Sequence, residues 1–470
     1  MPEARDHCGL FGVFGSAHAV DLTYYGLYAQ QHRGQESAGI ASVQDGRLVY
    51  HKAMGLVADV FNRDALQKLK SHAAIGHVRY STTGSSNPAN AQPIVVETSL
   101  RMLAVAHNGN LVNSATLRRE IEEQGHFFPV FHTTTDTEII LYLVAREAEL
   151  EKGLKHAMNR IKGAFSLLFL TPDALVAVRD PQGFRPLVLG KKGSAWAVAS
   201  ETCAFDLSDI EFQRDIEPGE ILVIDRNGPR SERFLPKKEC RPAHCLFEHV
   251  YFARPDSRVH GDLVHDVRWK LGQELARQHP VEADFVTPIP DSGLFAAQGY
   301  AEQAKLPYRM AYIRNHYVGR TFIKPSQGER ASGVEIKLAA VKEIVKGKRV
   351  VVVDDSVIRG TTSKSRIKLL RDAGAKEVHL RVSCPPTKHA CYYGIDFPNP
   401  KELIASSKTV EEIRRHIGVD SLGYLSLDGL LSAVSGPKPN YCTACWTGNY
   451  SVPPVDVMDK EMHEKGNGKG

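Results

Sequence analysis

The apolar positions of this chain divide into two patterns. From about residue 245 onward, short apolar runs alternate with helical stripes. The most distinct run is Val350–Val353 within KRVVVVDDSVIRGTTS, four consecutive valines that predict a strand buried on both faces of a parallel sheet. Before it come a helical stripe (Val264, Val267, Leu271, Leu275) ending near Pro280, the strand ADFVTPIP, the helix LFAAQGYAEQAK and the strand YRMAYIR. After it come a helix carrying Ile367 and Leu370, a helix-ending Gly374, and the strand HLRVS. Strands alternating with helices predict an α/β unit with right-handed crossovers. The first half reads differently. CGLFGVFG, AIGHVRYSTTG and LAVAHNGNLVN predict strands ending in polar turns, with a helix around Leu22 and Leu27 and another from about Asp136. Between Ala164 and Ile224, five short apolar runs are separated only by turns, which predicts antiparallel sheet in an α+β layered domain. The Lys/Arg/Pro-rich run Arg230–Pro242 marks the expected boundary.

A length of 470 residues supports two or three domains. Apolar residues at 42% and charged residues at 24% describe an ordinary globular protein, and a net charge of +5 is too small for a nucleic-acid-binding surface. No run approaches the ~18 apolar residues of a membrane helix, so no membrane partner is expected. The opening MPEARDHCGLFGVFG lacks a signal peptide's basic start and apolar core, which predicts a cytoplasmic protein with reduced thiols. Eight cysteines in that setting point to reactive, metal-binding or inert core thiols rather than disulfides.

Candidate chemistry gathers at two places. Asp354 and Asp355 fall at the carboxyl end of the valine strand, where open α/β sheets bind ligands. The following Gly360, Thr361, Thr362 and Ser363 open a helix, offering backbone N–H groups and hydroxyls to an anion. Carboxylates beside such a cradle suit a sugar phosphate. The Pro-Asp-Ser-Gly turn containing Ser292 should lie at the same sheet end and share that ligand. In the first half, Cys8 stands ahead of three polar loops: Arg33-Gly34, Arg79-Tyr80-Ser81 and His107-Asn108-Gly109. An Asn side chain followed by a glycine N–H makes a sensible oxyanion pair. The missing partner is a general base. Removal of the first seven residues would give Cys8 a free α-amine of pKa near ~8, able to serve its own thiol, and His107 is the alternative.

With these residues in place, CGLFGVFG, QHRGQESAGI, GHVRYSTTG, HNGNLVN and TDTEI together resemble class II (N-terminal nucleophile) glutamine amidotransferases. That resemblance implies an αββα sandwich over residues 8–238 and a propeptide at 1–7. It implies Cys8 as nucleophile, Asn108 and Gly109 as oxyanion hole, and Arg79, Asp136, Arg33 and Gly34 in glutamine binding. VVVVDDSVIRGTTS resembles the type I phosphoribosyltransferase motif. It implies a parallel-sheet domain over 239–452 in which Asp354, Asp355, Gly360, Thr361, Thr362 and Ser363 hold phosphoribosyl pyrophosphate (PRPP). Ser292, Asp354 and Asp355 match Mg²⁺ positions, one ion per subunit. The family's loop that closes over PRPP corresponds to Tyr317–Lys348, where Glu335 replaces a customary Arg.

Cys442-Thr-Ala-Cys445 is a C-x-x-C pair that by itself suits zinc or an iron–sulfur cluster equally. Together with Cys245 and Cys391 it resembles the ligand set of amidophosphoribosyltransferases carrying one [4Fe–4S] cluster per subunit. Cys384, in Ser-Cys-Pro-Pro, is set aside as a decoy. The combined resemblance implies glutamine, PRPP and water converted to 5-phosphoribosylamine, glutamate and pyrophosphate, opening de novo purine synthesis. It also implies ammonia passing between sites, purine nucleotide inhibitors and a homotetramer. The valine-strand motif argues against a glucosamine-phosphate synthase type of amidotransferase. The low charge argues against a DNA-binding PRPP sensor. Residues 453–470 read as a disordered tail.

Overall fold

A computed structural model describes residues 8–80, 87–97, 102–123, 131–315, 338–396 and 400–456. The propeptide and most of the expected PRPP loop, Glu335 included, lie outside these residues.

The strand Gly9–Phe14 shows how the first half is layered. Leu10 and Phe14 face one way, into an apolar layer shared with Ile75, Ala104, Leu168 and Leu222. Phe11 and Val13 face the other way, against Val20 and Leu27 of the helix Ala19–Ala29. The period of two thus puts one strand between two cores. Its sheet has seven antiparallel strands in the order 211–215, 188–192, 195–199, 9–14, 73–79, 37–44, 47–54. A second antiparallel sheet runs 228–233, 220–225, 175–179, 163–170, 102–111, 94–97. There Phe165, Leu167 and Phe169 pack on the helices Asp136–Ala145 and Leu150–Arg160, while Leu168 and Leu170 face the first sheet. Each fully buried Phe or Leu contributes about 1.5–3 kcal/mol. The result is helix, sheet, sheet, helix.

The second half is built on four parallel strands in the order Phe285–Pro288, Arg349–Asp354, Glu377–Val382, Ser421–Tyr424. Val350, Val351, Val352 and Val353 are each 0% exposed, as a strand covered on both faces requires. Helices Val264–Gln278 and Leu294–Ala304 touch backbone to backbone, because Gly272 and Gly299 leave no room for a Cβ.

Three expectations are corrected. His107-Asn108-Gly109 is no turn: the strand Met102–Leu111 runs straight through it, Gly109 taking φ +148°. The YRMAYIR strand does not join the parallel sheet beyond one bridge at Tyr308; Tyr312–Arg314 instead pairs antiparallel with Leu338–Ala340. The expected tail is anchored at its start. Val455 N–H donates to the Val112 carbonyl (3.0 Å), and Asp456 accepts from Ala115 N–H (2.7 Å) and the Thr116 hydroxyl (2.6 Å).

Candidate active site

Cys8 directly precedes the Gly9–Phe14 strand, whose Gly9 pairs with Val78. That register sets Cys8 beside Arg79 and Tyr80, and its Sγ lies 3.5 Å from the Tyr80 carbonyl. Burial pushes the Cys8 thiol up; the Tyr80 contact and the Arg79 guanidinium pull the other way without overcoming it. Such a thiol needs a base. Burial also lowers Arg79, although Cys8, Glu36 and Asp136 all oppose this. Arg79 therefore stands within electrostatic reach of both Cys8 and Asp136. Asp136 opens its helix, accepting from Leu111 N–H at 2.9 Å and approaching His107 Nδ1 at 3.4 Å.

Asn108 and Gly109 lie on the strand Met102–Leu111, between His107 and Leu111. Both polar ends of the Asn108 side chain are buried and lack a hydrogen-bond partner. Gly109 is required by geometry, since a Cβ there would fall 2.0 Å from the Ala164 carbonyl oxygen. His107 is taken: its Nε2 faces the Ala164 carbonyl at 3.3 Å and its Nδ1 faces Asp136 and Thr137. That leaves it poorly placed as the thiol's base.

Arg33 is 1% exposed and turns inward. Its Nε donates to the Cys8 carbonyl (3.2 Å), Nη1 to Glu201 and to Glu248 (3.0 Å), and Nη2 to Glu248 (2.8 Å). The side chain of Arg33 is thus committed to the protein itself, and Gly34 packs against the Val78–Arg79 backbone. Burial would raise the Glu201 carboxyl, but His32 and Arg33 outweigh it and hold it well below the usual carboxylate range. His32, Glu201 and Cys203 bring ligand-type atoms within 4.8 Å of one another. Glu201 is already committed there to Ser257 (2.7 Å) and Arg254 N–H (2.9 Å), which makes the group a structural junction.

At the parallel-sheet end, Asp354 accepts from Asp355 N–H (3.0 Å) and lies 3.4 Å from Arg366; Asp355 accepts from the Ser356 hydroxyl. The turn containing Ser292 is adjacent, for Ile289 N–H donates to the Val353 carbonyl and Gly293 packs on that same oxygen. Gly360, at φ +77°, precedes the helix Thr361–Asp372, and no side chain caps its first turn. The N–H groups of Thr361, Thr362 and Ser363 thus meet no side-chain cap, an arrangement suited to an anion.

Cys245 and Cys442 are paired in a two-stranded parallel bridge. The Cys445 carbonyl accepts from Lys388 and His389 N–H, which brings the loop carrying Cys391 alongside. Burial raises Cys245 to about 11 and Cys445 well above the usual thiol value; neighbouring thiols raise Cys445 further. Cys384 is buried nearby, its thiol contacting the Pro385 carbonyl and adding to the upward push on Cys445.

Two family models match the chain: a glutamine amidotransferase domain over residues 77–206 and a phosphoribosyl transferase domain over 264–410. Amidophosphoribosyltransferase of Methanothermobacter thermautotrophicus is 47% identical over 98% of both chains. That of Bacillus subtilis is 46% identical over 95% of this chain and 94% of its own. The chain belongs to the amidophosphoribosyltransferase family. The solved B. subtilis glutamine PRPP amidotransferase complexed with ADP and GMP superposes with a TM-score of 0.89, covering 95% of this chain and 98% of that one. As an amidophosphoribosyltransferase, this chain is a pentosyltransferase with a glutamine amidotransferase domain, acting at the first step of purine biosynthesis.

Reading the sequence did not single out Glu36, Arg185, Glu201, Glu248 or Arg268. The available signal was a lone charge inside an apolar run, as in CLFEHVYF and QGFRPLVL.

Proposed function

We propose that this chain makes 5-phosphoribosylamine from PRPP, glutamine and water, releasing glutamate and pyrophosphate, through a glutaminase site at Cys8 and an acceptor site at Asp354–Ser363. The supporting observation is that Cys8, Arg79 and Asp136 share one buried site while Asp354, Asp355 and the open helix start share one sheet end. Arg79 takes the α-carboxylate of glutamine and Asp136 its α-ammonium, a charge-assisted clamp. The Cys8 thiolate attacks the side-chain amide carbonyl, and the oxyanion accepts from the Asn108 amide and Gly109 N–H. Collapse releases ammonia and leaves a glutamyl thioester, which water hydrolyses to glutamate. Removal of residues 1–7 supplies the α-amine as base; the occupied ring of His107 favours this route. Ammonia then attacks C1 of PRPP as pyrophosphate departs, its 5-phosphate held at Gly360–Ser363 and its ribose by Asp354 and Asp355.

Residues 8–238 and 239–452 form the two domains in this reading. Ser292, Asp354 and Asp355 offer the oxygen donors Mg²⁺ prefers, and the ion would offset pyrophosphate charge. Cys245, Cys391, Cys442 and Cys445 suit a [4Fe–4S] cluster. A single zinc would draw its thiolates to about 3.8 Å from one another at Zn–S of ~2.3 Å. Among the described residues, the ligand group that closes within 4.8 Å is His32, Glu201 and Cys203 rather than these four thiols. Purine nucleotides as feedback ligands and a homotetrameric assembly accompany the same reading.

Cys8→Ala should abolish glutamine-dependent phosphoribosylamine synthesis and spare synthesis from ammonia, measured with and without Mg²⁺. Glutamine-dependent product from this variant would refute the nucleophile assignment.

A further inference from the structure

Two segments of the second half reach into the glutaminase site. One is the five-residue π-helical turn Glu248–Phe252, closed by Ala253 N–H donating to the Glu248 carbonyl. Its Glu248, 0% exposed, takes both terminal nitrogens of Arg33, whose Nε holds the Cys8 carbonyl at 3.2 Å. The other is the segment after Cys391. Asn110 Nδ2 donates to the Tyr392 carbonyl (3.1 Å), and Gly394 lies so close to Gly109 that a Cβ on it would sit 2.9 Å from the Gly109 carbonyl carbon. Arg185 joins these segments. Its Nη1 donates to Glu248 (3.2 Å), and its Nε and Nη2 donate to the Tyr393 carbonyl (3.2 and 2.8 Å). Arg33, Arg185, Glu201 and Glu248 are all buried, so water cannot replace any lost member.

We infer that Glu248 and Arg185 are positioning residues of the glutaminase reaction, fixing the Cys8 main chain through Arg33 and the oxyanion strand through Tyr393. Neither touches glutamine. The α-amine and the thiol of Cys8 both move with its main chain, so a small shift at the Cys8 carbonyl displaces base and nucleophile together. Misplacement on the scale of an ångström costs roughly a hundredfold in rate. The acceptor half keeps its own residues and loses nothing. This inference rests on Cys8 being the nucleophile, and Cys8→Ala run alongside separates the two. A Cys8→Ala enzyme still using glutamine sinks both, whereas a dead Cys8→Ala beside a normal Glu248→Gln sinks only this one.

The test uses the full-length protein with its metal content intact. Glu248→Gln should lower kcat for glutamine by about ten- to hundredfold with KM little changed, and slow Cys8 alkylation by a γ-electrophilic glutamine analogue in parallel. Ammonia-dependent synthesis and iron per chain should stay within about twofold of the parent. Glu248→Asp, which keeps the charge, should recover part of the loss; a packing role would instead favour the isosteric Gln. Glutamine kinetics within about twofold of the parent would overturn the inference, as would glutamine- and ammonia-dependent rates falling together. If Glu248→Gln does not fold, Arg185→Lys carries the same readouts. Failure of both variants to fold would overturn a positioning role in favour of a purely structural one.

Discussion

A buried side-chain amide with neither end hydrogen-bonded carries a cost of about 1–3 kcal/mol per group, and Asn108 bears it at both ends. Such a cost persists where a transient partner repays it, here the oxyanion that forms during attack by Cys8. Asn108→Ala should therefore cut the glutaminase kcat by about 10²–10³ without lowering the melting temperature. Steady-state kinetics and calorimetry on one preparation would check this; a large drop in melting temperature with near-normal turnover would contradict it. The residue scale also shows what one sequence conveys. Cys8, Arg79 and Asn108 stood out because their residue types in polar loops match a stated chemistry, whereas Asp136 entered only through the family resemblance. The structure brings Cys8, Arg79 and Asp136 together. The side chain of Arg33 was not legible. Its partner Glu248 is 215 positions away, and nothing local distinguishes an inward guanidinium from one facing a substrate.

Among the elements, the helix Ser114–Glu123 has its start capped from 340 positions downstream, where Asp456 accepts from Ala115 N–H, Thr116 N–H and the Thr116 hydroxyl. Asp456→Ala should destabilise this helix by about 1 kcal/mol, read as a lower melting temperature and faster hydrogen exchange at residues 114–118. Unchanged exchange there would show that the contact contributes nothing. This anchor is where the expectation of disorder from residue 453 fails. Composition reports what a segment cannot bury, whereas a single carboxylate meeting a helix start is enough to hold residues 455 and 456. The strand through His107–Gly109 was misread for a related reason. Asn and Gly are turn formers by propensity, yet pairing with the strand Gly163–Leu170 on one side holds the backbone extended there.

At the scale of the whole molecule, both architectures were legible because period-two alternation and strand–helix alternation survive in the apolar positions alone. How the halves join was not. The junction combines buried charges, close glycines and a few apolar side chains: Glu248 takes Arg33 and Arg185 of the first half, and within the second half Arg268, in the helix Val264–Gln278, steadies the π-helical turn by donating to the His249 and Ala253 carbonyls. Burial lowers Arg268 to about 10 although Asp355, Glu201 and Glu248 all oppose this, so one guanidinium stands within electrostatic reach of both sites. The rings of Phe184 and Tyr393 stack 4.0 Å apart across the same junction. If the four cysteines hold a [4Fe–4S] cluster, protein purified without oxygen should be brown with about four irons per chain. Chelation should then destabilise both halves together, since Cys245 leads directly into the turn that bears Glu248. Stoichiometric zinc in their place would reject that assignment.

The wide spacing between Arg33 and its carboxylate partner also has a consequence in time. A ribosome adding about 5–20 residues per second needs roughly 10–40 s to travel the 215 positions from Arg33 to Glu248. Through that interval the nascent first half carries a thiol and a glutamine pocket, yet lacks the group that steadies them. Asp456 comes later still. An unfinished chain would accordingly waste little of the cell's glutamine, and the two activities would come into being together.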